Sequence, residues 1–279
     1  MVLLASIILV GFSCNQTQHH DGEIQKSTYD KVIASNTIRV GYVVCPPSFI
    51  KDPKTGDFSG IMHDVMVEAG KSLEIKIDFV EELNWETMTE AVQTGKVDIV
   101  CTGLWPSGAR GKFVDFTSAI YYSPITAYVK AGNKKFDGNL SNVNSADVKI
   151  ARVDKQLTSI IAKADFPTAN TELLPDNAEV PDILIAVASG KADITFVEVA
   201  VANEYMATHP NSIQAVANVP MQRVFSNVMM IPKGDVKFQS MLNYAFEELV
   251  NNVIVDKILT KYEKYPNSFL RLQRPYQVN

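Results

Sequence analysis

The sequence predicts a two-lobed α/β protein in which the chain crosses twice between lobes and leaves a ligand cleft between them. Three observations carry that expectation. Short apolar strands alternate with helical stretches from Thr37 onward, residues 91–99 recur as residues 186–194, and the chain closes in amphipathic helices too few to make a third domain. A length of 279 residues suits two lobes of about 100 to 150 residues, each able to bury its own core.

The first series runs as a strand over 38–44, a helix over 60–73, a strand over 75–80, a helix over 85–94 and a strand over 97–102. This βαβαβ order implies a parallel sheet covered by helices. The second series repeats it, with strands over 148–153, 171–174 and 193–197 and helices over 157–164 and 183–188. Six of nine positions are identical between the recurring segments, both of which contain Gly-Lys-x-Asp-Ile. In each, the glycine is expected to close a helix in the left-handed conformation, with lysine favourable at the helix end and a strand following. A strand over 228–231 and helices over 238–250 and 253–264 then return to the first lobe. The expected division is an export signal and polar tether over 1–28, a first lobe over 29–123, a second over 124–223, and a return with a tail over 224–279. The crossings fall near 123–130 and 220–228, and two crossings make a hinge.

Ahead of the lobes, residues 2–13 are apolar, end at Cys14 and precede a polar stretch. This pattern reads as an export signal, with Cys14 the lipidated residue of a lipoprotein and the polar stretch its tether. Cleavage by an ordinary signal peptidase and a buried N-terminal helix are the alternatives, since no lysine or arginine precedes the apolar run. His19 and His20 read as solvated tether residues. With 26 Lys and Arg against 31 Asp and Glu, and no basic block, nucleic-acid binding has no support. Mean hydropathy is +0.00 and the one long apolar run lies at the start, so a multi-span membrane protein is excluded.

Open α/β sheets bind ligands beyond the carboxyl ends of their strands. In the first lobe that places Gly103, Trp105, Ser107 and Arg110 at the cleft; in the second it places Glu198. A guanidinium facing a carboxylate across a closing cleft suits a zwitterion such as an α-amino acid. The competing readings are a solvated Arg110 and a Glu198 paired with a structural lysine. Trp105 is either a stacking wall or a packing residue, and Tyr42, Tyr121 and Tyr122 are weaker candidates of the same kind. Trp85, at a helix start, reads as core, and His63, beside Asp64, as a capping or surface residue. In a 2-1-3 strand order the strands ending at Cys45 and Cys101 are neighbours, which predicts a disulfide at the cleft floor, two buried free thiols being the alternative. No nucleophile elbow, P-loop, zinc-protease or dinucleotide fingerprint occurs. No cofactor or metal site is expected.

These residues resemble a known family. The strand IRVGYVV with Pro46, Pro47 and Phe49, then Gly56, Gly60, Asp64, Trp85 and the run 93–98, is similar to the first lobe of bacterial family 3 solute-binding proteins, the polar amino-acid receptors of ABC importers. Residues 110–117, RGKFVDFT, are similar to the family's R-x-K-x-V-D-F-S signature, and 190–193 with 256–262 extend the likeness to about residue 265. The resemblance implies a periplasmic-binding-protein-like fold of type II. It implies that Arg110 holds a ligand carboxylate, that Gly103 offers its carbonyl to an ammonium, and that Glu198 stands where an aspartate usually meets that ammonium. By position, Cys45 (in place of an aromatic residue) and Gln156 (in a loop reading Lys155–Gln156 instead of Gly-Ser/Thr) fall at the ligand too. Trp105 replaces a small hydroxyl residue. The implied function is a periplasmic or cell-surface receptor, monomeric and tied to the membrane only through a lipid anchor, that delivers an amino acid or related carboxylate to an importer permease. The alternative on the same fold is a cyclohexadienyl-dehydratase-like enzyme; a signalling sensor module is a third, weaker reading.

Overall fold

A computed structural model describes residues 27–154, 156–175 and 177–272. The expected export signal, tether and lipidated Cys14 lie outside these residues, apart from the last two tether positions. The chain opens with α1 (Thr28–Ser35), β1 (Thr37–Tyr42), the short hairpin β2 (Ile50–Lys51) and β3 (Phe58–Ser59), and α2 (Ile61–Leu73). Next come β4 (Lys76–Glu82), α3 (Met88–Gln93), β5 (Ile99–Leu104) and β6 (Val114–Phe116). The long strand β7 (Tyr121–Lys130) leads into β8 (Lys149–Val153), α4 (Leu157–Asp165), β9 (Asn170–Leu174), α5 (Val180–Ala188), β10 (Ile194–Glu198) and α6 (Val199–Thr208). The chain returns through β11 (Ile213–Ala215), the long strand β12 (Arg223–Pro232), α7 (Val236–Asn251) and α8 (Ile254–Tyr262).

The main sheet runs in the order β4-β1-β5-β12-β7-β10-β8-β9. Each end repeats one pattern: the first strand of a series sits between the second and the third, parallel to both, and an antiparallel long strand lies beyond the third. The 2-1-3 order expected from the sequence is therefore present twice. β7 and β12 pair with each other over Tyr121–Ile125 and Arg223–Asn227, while β7 continues along β10 and β12 continues along β5. These two paired segments are where the chain crosses between the halves. α2, α7 and α8 cover one face of the first half around Met62, Met66, Phe238 and Leu259. Phe136, Ile150, Ile161 and Phe196 centre a separate core in the second half.

The repeated Gly-Lys-x-Asp-Ile has a structural reason in both halves. Gly95 and Gly190 take φ of 71° and 79°, the left-handed conformation that ends α3 and α5. The aspartate three residues on then ties the third strand to the first: the main-chain N–H of Arg39 donates to Asp98 Oδ2 at 2.8 Å, and that of Lys149 to Asp193 Oδ2 at 2.7 Å. Asp98 also accepts from the Arg39 guanidinium, at 2.7 Å to Oδ1 and 3.2 Å to Oδ2. Asp98→Ala leaves the half-buried Arg39 N–H without its acceptor and removes the carboxylate from a guanidinium that keeps the Gly95 and Lys96 carbonyls, and is expected to cost about 2–3 kcal/mol. At this chain size that lowers the melting temperature by about 5–10 °C. A calorimetric scan showing a fall below about 1 °C would contradict the pin.

Two stretches depart from the expectation. α3 begins at Met88 instead of residue 85, because Asn84 Oδ1 accepts from the N–H groups of Glu86 and Thr87 and holds a turn there. Trp85 is consequently 44% exposed and not a core residue. α6 is an element the sequence reading did not place; it follows β10 without a loop, so the segment after Glu198 is helix from its first residue.

Candidate functional site

A cavity of ≈ 500 Å³ lies where the two halves meet. The first half supplies its floor through the end of β5 (Gly103, Leu104), the following loop (Trp105, Pro106, Ser107), Arg110 at a 3-10 turn, Trp85, and the Cys45–Ser48 loop. The second half supplies Glu198 at the end of β10, Ala200 and Val201 in the first turn of α6, and Leu157 and Ile160 of α4. Tyr121 of β7 with Phe225 and Asn227 of β12 form the wall between them, and Phe269 closes one side. Residues from both crossing strands thus face the same space as residues from both halves.

Gly103 sits at the tightest point. A Cβ there would meet Ser48 Oγ at 2.7 Å, Tyr121 Oη at 2.9 Å and Asn227 Oδ1 at 3.1 Å. Its N–H donates to Ser48 Oγ, and Ser48 in turn is bonded to the Tyr121 phenol. Asn227 Nδ2 donates to Ser123 Oγ at 2.9 Å, and Ser123 is hydrogen-bonded to the Glu198 carboxyl. The crossing strands therefore carry the side chains that orient the site's floor and its carboxylate.

Burial raises the Glu198 carboxyl above the ordinary glutamate range, an effect the Ser123 hydrogen bond partly offsets. Burial and then the Glu198 charge raise the Cys45 thiol, and the same two causes push the Tyr121 phenol well up. Among the described residues Glu198 has no ion-pair partner, and the half-buried Arg110 guanidinium has neither an ion pair nor a hydrogen bond. The cavity thus presents one cation and one anion that the chain itself leaves without a partner, and for the more deeply buried Glu198 that state is costly until a ligand completes it. Trp105 lies flat on Phe225, ring centroids 4.3 Å apart and planes 12° from parallel, so it spans from the first half to the crossing strand while still lining the cavity.

Of the residues read from the sequence, Arg110, Glu198, Gly103, Trp105, Ser107 and Cys45 line this cavity, and so does Tyr121. Tyr42 does not. Its side chain shares the α2-facing side of β1 with Ile38 and Val40, is 6% exposed, and stacks on Phe49 at 4.7 Å in a cluster with Phe58 and Phe79. Gln156 is an exposed N-cap of α4 outside the lining, which takes Leu157 and Ile160 from that helix instead; Lys155 is outside the described residues. Tyr122 lies away from the cavity, bridged to Leu270. The expected disulfide is also corrected: Cys45 and Cys101 are both free thiols. The β1–β5 register places Tyr42 opposite Cys101, and Cys45 lies three positions beyond, in a loop where it bridges to Phe49. His63 bonds Asp64 through Nδ1 at 2.8 Å and stacks on Phe79, as a structural residue would.

Ser48, Asn227, Phe225 and Phe269 were not singled out by sequence. Ser48 follows the paired prolines and could have been found there. Asn227 and Phe225 needed the pairing of β12 with β7, and Phe269 needed the path of the tail.

The chain is similar to several known proteins. The model of the bacterial extracellular solute-binding proteins, family 3, matches residues 38–265. A probable amino-acid ABC transporter-binding protein of Haemophilus influenzae is 25% identical over 211 residues, covering 76% of this chain and 77% of the relative. Among solved structures, an ancestral amino acid-binding protein described as a precursor of cyclohexadienyl dehydratase is 28% identical with a TM-score of 0.64, covering 86% of this chain and 100% of the other. An ancestral cyclohexadienyl dehydratase is 27% identical with a TM-score of 0.56, covering 88% and 100%. The long crossing strands, the doubled 2-1-3 sheet order and the match over 38–265 lead to one statement: the chain belongs to the bacterial extracellular solute-binding proteins of family 3.

Proposed function

We propose that this protein is an extracytoplasmic receptor that closes over a small zwitterion, an α-amino acid or close derivative, and delivers it to an ABC importer permease. The observation that carries the reading is the pair of uncompensated charges on opposite walls of one cavity, Arg110 and Glu198. Arginine takes a carboxylate through two parallel hydrogen bonds, and a buried glutamate takes an ammonium. Two lobes, 29–123 with 224–279 and 124–223, close about the paired segments of β7 and β12, and closure is favoured by contacts that exist only when both walls touch the ligand. One chain supplies both walls, which supports action as a monomer. A lipid on Cys14 would be its only membrane attachment. Among the described residues no helix is long and apolar enough to cross a membrane.

The dehydratase reading is favoured by one observation, a Glu198 carboxyl raised toward the range of a general acid. Against it, Cys45 and Tyr121, the two groups whose titration the Glu198 charge raises, are both held protonated. Fold likeness by itself does not grant chemistry.

The chain has two tryptophans, and both Trp85 and Trp105 line the cavity. A screen of the amino acids, prephenate and arogenate by intrinsic fluorescence and thermal shift is expected to give a fluorescence change with an amino acid. The melting temperature should rise by several degrees at about 1,000 times the dissociation constant and stay raised for hours. A shift with prephenate or arogenate alone, fading as product forms, would replace the receptor with the enzyme.

A further inference from the structure

A second cavity of ≈ 460 Å³ adjoins the first. The two share Pro46, Pro47, Ala200, Val201 and Phe269, so the neck between them has no polar side chain. Beyond the neck, Ile50 and the rings of Tyr262 and Tyr265 continue the apolar lining, beside a buried Ser268 whose Oγ accepts from Asn203 Nδ2 at 3.3 Å. The charged groups of this chamber are already satisfied by each other or by neighbours: Lys264 pairs with Glu204 at 2.8 Å, both well exposed, and Lys261 pairs with Asp64 at 2.8 Å. The inner lining is therefore suited to hydrocarbon, with the charged side chains Glu204, Lys261 and Lys264 exposed at the rim.

Phe269, the aromatic side of the neck, is fixed from several directions. It is 5% exposed and meets the Tyr121 ring edge-on at 5.5 Å. Arg271 pairs with Glu263 at 2.6 Å, Glu263 accepts from the Phe269 N–H at 3.2 Å, and Arg271 Nη1 donates to the Phe269 carbonyl at 2.9 Å. Leu270 exchanges main-chain hydrogen bonds with Tyr122 at 2.8 and 2.9 Å. The Phe269 side of the neck is thus held in place, and Ala200 and Val201 of the second half face it.

We infer that the ligand is an α-amino acid with a long apolar side chain, whose head lies between Arg110 and Glu198 and whose tail passes Val201 and Phe269 into the second chamber. The inference rests on the receptor reading and names the substrate class of that site. Each methylene moved from water into such a lining strengthens binding about fourfold.

The test is calorimetric titration of the full chain with alanine, 2-aminobutyric acid, norvaline, norleucine, 2-aminooctanoic acid and lysine. Affinity is expected to climb through the whole aliphatic series to 2-aminooctanoic acid, and norleucine is expected to bind at least about tenfold more tightly than lysine, which adds an ammonium to the same chain. Glu204→Trp and Lys264→Trp, which narrow the chamber from its two exposed rims, should flatten the upper steps of the series, whereas Glu204→Gln should keep them. A series that levels off by norvaline, rim variants that leave every step intact, or lysine binding more tightly than norleucine would overturn the second chamber and leave the receptor standing. Binding of none of these compounds or of any other amino acid would overturn the receptor reading itself, and this inference with it.

Discussion

Arg110→Ala is expected to weaken amino-acid binding by about 2–5 kcal/mol, a loss of at least about 30-fold. The unliganded melting temperature should stay within about 1 °C. Both halves of that expectation come from one feature. The guanidinium makes no ion pair or hydrogen bond among the described residues, so the fold loses nothing when it goes. The ligand loses the group that neutralises its carboxylate in a space closed by Trp105, Leu104 and Phe225. Arg110→Lys keeps the charge but not the two-point geometry and should fall between the two. Titration calorimetry on the three proteins measures this directly. A loss below threefold for the alanine variant would remove Arg110 from the ligand's carboxylate.

Glu198→Gln is expected to move stability and affinity in opposite directions. Because burial raises this carboxyl above its unfolded value, the folded protein holds the proton more readily than the unfolded chain does. Stability from this group is full below the ordinary glutamate range and is lost as pH rises through the raised value, so near neutrality the ionised Glu198 destabilises the empty receptor. Glutamine keeps the shape and the hydrogen bond to Ser123 without the charge. The variant should melt higher than the parent at pH 7 and lose that advantage in acid. Its affinity for an amino acid should fall by about 2–5 kcal/mol, since the ammonium would enter the cavity unpaired. In the parent, affinity should decline as pH is lowered through the raised Glu198 value, and this decline should be absent from the variant. A glutamine variant that melts lower than the parent at pH 7, or binds within threefold of it, would contradict this role.

Much of the fold was legible because it rests on local rules. The short apolar runs pointed to β1, β4 and β5, and the doubled Gly-Lys-x-Asp-Ile pointed to a second half like the first. Arg110 and Glu198 were legible because strand ends face the cleft in any open α/β sheet. The misreadings have separate local causes. Cys45 was read as the end of β1, which stops at Tyr42, so it does not stand opposite Cys101; Tyr42 lies within β1, and alternation along the strand puts it with Ile38 and Val40 on the α2 side. Trp85 was lost to the core because a helix propensity run masked the Asn84 turn. Asn227 and Phe269 come from segments whose meaning lies in long-range pairing, β12 on β7 and Leu270 on Tyr122, which no local pattern records.

The measurement that most directly tests the two-handed grip on a zwitterion compares, by calorimetry at pH 7, the best-bound amino acid with two one-handed analogues. One is the amine lacking the α-carboxylate, the other the acid lacking the α-amino group. If Arg110 and Glu198 each hold one end, both analogues should bind at least about 30-fold more weakly than the parent amino acid. The amine should also be the one whose residual affinity is unchanged by Arg110→Ala. Either analogue binding as tightly as the amino acid would contradict the account, because one of the two opposing charges would then have no ligand group to meet.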